Sequence, residues 1–177
     1  MTYPASWQST IKPMMTEISL NVLDVSENST RAGASLVTIL VTADTSADKL
    51  TIVIADNGCG MTPEQAAHVT DPFFTTRTTR KVGLGIPFFK YAAESTGGSF
   101  HIESEPGKGT TVTAVFGLSH IDRMPLGDMN ATIHNLIVYH PDTDFLYTYT
   151  YNDASFTLDT REMREILGGI PLNTPEV

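Results

Sequence analysis

Six residues, Leu50 to Ala55 (LTIVIA), run without a charge straight into Asp56-Asn57-Gly58-Cys59-Gly60-Met61. No other junction in the chain constrains the fold as strongly. A short run rich in valine, isoleucine and threonine is a strand. An aspartate at its end, followed by two glycines, turns the backbone and lets it come close to a flat ring. A carboxylate held there accepts a hydrogen bond from an amino group. Taken alone, the same residues also make an ordinary turn, so their meaning depends on what surrounds them.

Leu36 to Ala43 is a second run of the same kind, and the two read as an antiparallel pair joined by DTSAD. Upstream, between Pro13 and Gly33, Ile18, Val22, Val25 and Ala32 recur at helical spacing, which predicts an amphipathic helix with Gly33 as its C′ residue. Pro63 to Val69 fits one short helix, and Asp71 to Val82 (DPFFTTRTTRKV) has no clean period and reads as a loop. Leu84 to Ser95 suits a helix with Pro87 in its first turn. Ser99 to Ser104 and Thr110 to Phe116 are strands on either side of the turn EPGKG. This order predicts an α+β fold, a two-layer α/β sandwich with helices on one face of a mixed or antiparallel sheet.

That unit takes up residues 1–121, and residues 122–177 are expected to form a small helix-hairpin-helix appendage of α/β type. In the appendage, Asp128 caps a helix to about Tyr139. Phe145, Tyr147, Tyr149 and Tyr151 alternate along a strand as one buried face of a hairpin, and Asn152-Asp153 turns into Ser155 to Leu158. Asp159 with Glu162 reads as a capping box for a last helix, stopped by Gly168.

The formal charge is −9 with a single cysteine, Cys59. One cysteine makes no internal disulfide and no cysteine-rich zinc site. The acidic balance opposes non-specific binding to nucleic acid or to an anionic membrane. No apolar run approaches the roughly 20 residues that cross a bilayer, and Met1 to Lys12 lacks the order of a signal peptide. The expectation is a cytoplasmic protein. Acidic and basic residues number 11 and 8 in 1–121 but 9 and 3 in 122–177, so an anion belongs in the first part.

Three further segments carry chemistry. In LDVSENSTRAGA, Asp24 and Asn28 are four apart and share a helix face, giving a carboxylate and an amide oxygen to hold magnesium with its waters. Glu27 and Arg31, with the same spacing, read as a solvated ion pair. VGLGIPFFK, with Gly83, Leu84 and Gly85, is a glycine turn entering a helix, where free N–H groups attract phosphate. It lacks the third glycine of the dinucleotide pattern, and GKGT at Gly107 to Thr110 has Ile102 where a P-loop needs its first glycine. DPFFTTRTTRKVG places Arg77, Arg80 and Lys81 just before that turn, with Phe73 and Phe74 as anchors for a loop that closes over a triphosphate.

Taken together, these four segments resemble the N, G1, F and G2 boxes of the GHKL superfamily of gyrase, ninety-kilodalton heat-shock chaperones, histidine kinases and MutL. SENSTRAGA is most similar to the MutL-type helix. DPFFTTR followed by VGLGIP is similar to histidine kinases with a short ATP lid, and GKGTTVTAVF resembles the closing strand of that fold. The resemblance covers about residues 13 to 118.

It implies ATP and Mg2+ as cofactors, with Asn28 on the metal, Asp56 on the adenine amino group, and Gly58 and Gly60 shaping the base pocket. Gly83, Leu84 and Gly85 would line the phosphates, Phe74 with Arg77 or Lys81 would form the lid, and Thr110 or Thr111 would touch the adenine. Asp24 stands where the ATPase members carry a water-activating glutamate, one methylene shorter here.

The implied function is a regulatory ATP-binding domain or a kinase acting on a separate protein. The stretch before Pro13 is too short for the hairpin that carries a phosphoacceptor histidine. The alternatives are a nucleotide-sensing binding module without phosphotransfer and a slow ATPase. ATP and another protein are the expected partners, with a homodimer also open.

Overall fold

The structure is a computed structural model and describes residues 16–71 and 85–177. The elements run α1 (Ile18–Arg31), β1 (Leu36–Asp44), β2 (Lys49–Asp56), α2 (Pro63–Val69), α3 (Gly85–Glu94), β3 (Ser99–Glu105), β4 (Gly109–Gly117), α4 (Met129–Tyr139), β5 (Asp144–Tyr151), β6 (Ala154–Asp159) and α5 (Thr160–Leu167). They build the expected α+β sandwich. The six strands form one open sheet in the order β3-β4-β2-β1-β5-β6. All neighbours are antiparallel except β1 and β5, which are parallel, so the sheet is mixed.

Strand alternation decides which face the helices cover. In β1, Val37, Ile39, Val41 and Ala43 are buried, while Thr38, Leu40 and Thr42 between them are more exposed. The registers carry this face across the whole sheet, aligning Ile102, Val112, Ile54, Ile39, Tyr147 and Leu158 in one row, one residue per strand. Helices α1, α3 and α4 cover it: α1 touches β1, β2, α3 and α4, and α3 touches β3 and β4. Phe89 of α3, fully buried, sits with ring centroids 5.9 Å from Phe116 and 6.1 Å from Phe100.

Helix α1 buries Ile18, Val22 and Val25, as its period predicts, and ends at Ala32 with Gly33 at φ +76°, the left-handed residue expected there. Its start has no side-chain cap. The Ile18 and Ser19 N–H groups donate instead to the carbonyls of Pro125 and Leu126, at 3.0 and 2.8 Å. The connection into residues 122–177 thus satisfies the free donors of the first helix.

Residues 122–177 contribute to the same sheet and the same core, through β5 and β6 and through Met129, Ile133, Leu136, Phe145 and Tyr147. The aromatic face of β5 fades outward along the strand: Phe145 is fully buried and Tyr151 is half exposed. The last helix differs in one detail from expectation. Asp159 caps it by accepting from the Arg161 N–H at 2.9 Å, and its carboxylate is held further by the Arg161 guanidinium, so the cap forms without the expected reciprocal bond to Glu162. The guanidinium meets both carboxylate oxygens of Asp159 with opposite charge.

Candidate functional site

Asp56 is the last residue of β2, paired with Thr110 on β4, which in turn pairs with Ser104 on β3. Two residues beyond Ile54, it faces the helix layer. There its Oδ2 accepts from Ser29 Oγ on α1 at 2.6 Å and its Oδ1 from the Gly58 N–H at 2.9 Å. Each oxygen keeps capacity for a further donor. Thr110 stands on the Asp56 face and Thr111 on the opposite one. A hollow of about 290 Å3 at this end of the sheet is lined by Asp56, Ser104, Gly109 and Thr110 and, from the opposite face, by Glu103 and Thr111.

Three glycines make this corner by backbone contact. A Cβ on Gly58 would lie 2.9 Å from the Cβ and from the carbonyl oxygen of Ala32. One on Gly60 would run into the Glu105 carbonyl, and one on Gly109 into the Asp56 carbonyl. The turn after β2 is thereby wedged between the end of α1 and the β3–β4 hairpin. Backbone bonds from Cys59 N to Ala32 O (2.9 Å) and from Gly107 N to Cys59 O (2.7 Å) hold it there. Ser104 Oγ closes the knot, accepting from the Met61 N–H at 2.8 Å and lying 2.8 Å from Thr110 Oγ1. Asn57 Oδ1 accepts from the Ser35 and Leu36 N–H groups at 2.9 and 3.0 Å, fixing the turn from α1 into β1.

At the other end of the site, Asp24 lies against Gly85, the first residue of α3, so closely that a Cβ on Gly85 would collide with its carboxylate. Burial pushes the Asp24 carboxyl above its ordinary value; Arg31 opposes this and Glu27 adds to it. Asn28 is one turn further along α1, and its Oδ1 accepts from Arg31 Nη1 at 3.1 Å. The expected Glu27–Arg31 pair is replaced. Glu27 Oε1 lies 2.8 Å from His140 Nε2 at the end of α4, where the imidazole is the less exposed and better fixed partner.

Phe74, Arg77, Lys81, Gly83 and Leu84, with the loop expected around them, lie outside the described residues. The helix expected from Leu84 is described from Gly85. Asp56, Gly58, Gly60 and Thr110 come together where β2 meets β4, and Asp24 meets Gly85 at the start of α3, with Asn28 one turn along α1 from Asp24. Among the described residues no group of three or more histidine, cysteine, aspartate or glutamate side chains forms a metal cage. A magnesium ion here would depend on Asn28, water and the ligand's own phosphates, which suits that ion.

The motifs gave no role to Ser29, Ser104 or Asn57, and Arg31 was expected on Glu27 rather than on Asn28. Ser29 had a signal: it continues the buried stripe Ile18, Val22, Val25 by one more turn, and a polar residue in an apolar stripe needs a partner.

The family described as "Histidine kinase-, DNA gyrase B-, and HSP90-like ATPase" matches residues 8–120. Sensor protein SrrB of Staphylococcus aureus (strain NCTC 8325 / PS 47) is 33% identical over 102 residues, 55% of this chain and 17% of that protein. SrrB of strain COL gives the same values. The chain therefore spans 17% of the length of the curated relatives it matches. A solved structure titled "Crystal Structure of N terminal domain of a DNA repair protein" aligns with a TM-score of 0.58 at 14% identity, covering 85% of this chain and 54% of that one. At that identity the likeness speaks for the fold. Among the described residues no helix is long and apolar enough to cross a membrane.

Proposed function

Because the chain belongs to the histidine kinase-, DNA gyrase B- and HSP90-like ATPase family, we propose that it binds ATP with magnesium between α1, the turn after β2 and the start of α3. We propose further that it serves as a regulatory ATP-binding domain or as a kinase acting on a separate protein. The observation that carries the reading is Asp56: a carboxylate at a strand end, aimed into the helix layer and held by Ser29 and the Gly58 N–H, with acceptor capacity left for an exocyclic amino group. Thr110 shares its face and is the hydroxyl in reach of the same base. Asn28 would hold magnesium once Arg31 leaves its oxygen for the phosphates. Gly85, Gly83 and Leu84 would line the phosphates, with Phe74, Arg77 and Lys81 as the lid. In this reading residues 1–121 carry the nucleotide and 122–177 are the unit that meets the partner.

Titrating ATP by calorimetry, with and without magnesium, tests the site. The wild type is expected to bind and Asp56→Asn to bind at least about tenfold more weakly, since the amide replaces an acceptor with a donor. Absence of binding by the wild type overturns the reading. Transfer of label from γ-labelled ATP to a partner protein identifies the kinase. Nucleotide-dependent partner affinity without transfer identifies the sensing module.

One observation favours slow hydrolysis as a second reading. Asp24 lies against the first residue of α3, and burial raises its proton affinity, which improves a carboxylate as a general base. Phosphate release that persists in Asp24→Asn removes that reading.

A further inference from the structure

Of the eight large apolar side chains exposed among the described residues, only Leu20 precedes residue 121. A contiguous exposed apolar patch marks a contact surface. Two of these eight, Phe156 and Val177, line a groove of about 460 Å3 between α4 and the β5–β6 edge, together with Ile133, Ile137, Tyr147, Leu158 and Met163. An adjoining hollow of about 260 Å3 shares Asn130, Tyr147 and Phe156 with it. Phe156, on the outermost strand, is 58% exposed and stands at the junction of the two.

The charge of residues 122–177 is weighted to one sign, with nine acidic and three basic side chains. All three arginines are already engaged: Arg161 on Asp159 at 2.7 Å, Arg164 on Asp144 at 2.8 Å, and Arg123 on the carbonyls of Leu118 and Met124. Exposed carboxylates stand next to the lining, Glu162 before Met163 and Glu176 between Pro175 and Val177. A second copy of this chain would bring the same acid excess against itself, an unfavourable pairing.

We propose that this groove receives an amphipathic segment of a partner protein, with apolar residues on one face seated against Phe156, Tyr147 and Met163 and lysines or arginines on the other face toward the acidic rim. The surface lies apart from Asp56 and Asp24, and the inference stands without the nucleotide reading.

The test is fluorescence anisotropy on the full chain with the fluorescein-labelled peptide KLAKLAKKLAKLAK. It is expected to bind about tenfold more tightly than ELAELAEELAELAE, and more tightly than a peptide of its own composition with the apolar order scrambled. Added salt weakens the binding. Phe156→Ser and Val177→Ser, at half-exposed positions, each weaken it, Phe156→Ser by about tenfold. Ile121→Ser, exposed outside the groove, leaves it unchanged. Equal binding of the scrambled or acidic peptide, no binding at all, or indifference to both groove substitutions overturns the proposal. So does a dimer, seen by sedimentation equilibrium, that Phe156→Ser dissociates, because the occupant is then a second copy.

Discussion

Glu27 and His140 are 113 residues apart in sequence, yet Oε1 of one lies 2.8 Å from Nε2 of the other, joining the middle of α1 to the end of α4. Both side chains are largely shielded, at 28% and 23% exposure, so solvent screens the contact less than it would a surface pair. The contact ties residues 122–177 to the same turn of α1 that bears Asn28.

His140→Ala is expected to lower stability by about 1 kcal/mol, the net worth of a typical hydrogen bond. Glu27→Gln in the same background should then cost clearly less than it does alone. A double-mutant cycle by urea denaturation measures the coupling. Additive effects show that the two side chains do not cooperate.

The three glycines with positive φ around the β3–β4 turn are expected to separate sharply. Gly60→Ala and Gly109→Ala each drive a methyl into a backbone carbonyl, of Glu105 and Asp56, which cannot yield without breaking the corner. Each should cost more than about 3 kcal/mol, the range for overpacking added to left-handed backbone strain. Gly107 has φ +79° but open space around it, so Gly107→Ala should cost only the strain, about 1 kcal/mol. Thermal unfolding of the three variants gives the order, and equal losses contradict the geometry.

What the residues disclosed and what they hid follow one physical line. Elements set by local periodicity and turn chemistry were legible: α2 from Pro63, α4 from its Asp128 cap, the β5–β6 hairpin from Asn152, and the end of α1 from Gly33. The face of Asp56 was legible too, since it lies two residues beyond a buried isoleucine. Choices of partner between segments far apart in the chain were not. Nothing local tells Glu27 to prefer His140 over an arginine one turn away, or Ser29 to find Asp56. The parallel pairing of β5 with β1 likewise depends on a connection of about 100 residues that no short pattern encodes.

Ser29 is the residue that aims Asp56. Removing its hydroxyl leaves Oδ2 without its 2.6 Å donor while leaving Gly58 in place on Oδ1. Ser29→Ala is therefore expected to cost about 2 kcal/mol in stability, as for hydrogen bonds to charged groups. It should also weaken ATP binding several-fold through lost orientation, with Asp56→Asn weakening it further. Calorimetric titration checks the order. Tighter binding in Ser29→Ala would mean that the serine competes with the base for that oxygen.

Asp24 makes stability depend on pH with a definite sign. Burial beside α3 raises its folded-state proton affinity above that of the unfolded chain, Arg31 only partly offsetting this. The folded protein therefore holds this proton more tightly, and the residue's stabilising contribution is present below its ordinary value and lost as pH rises through the raised one. Above the raised value the carboxylate is charged, part-buried and unfavourable. Asp24→Asn, close in shape and neutral, should accordingly be more stable than wild type at pH 7, with the difference shrinking as the pH falls toward the ordinary aspartate value of 3.8. Urea denaturation of both proteins at a series of pH values in that interval measures it. A difference that does not change with pH shows that the amide gains stability by packing and that the Asp24 charge carries no penalty in the fold.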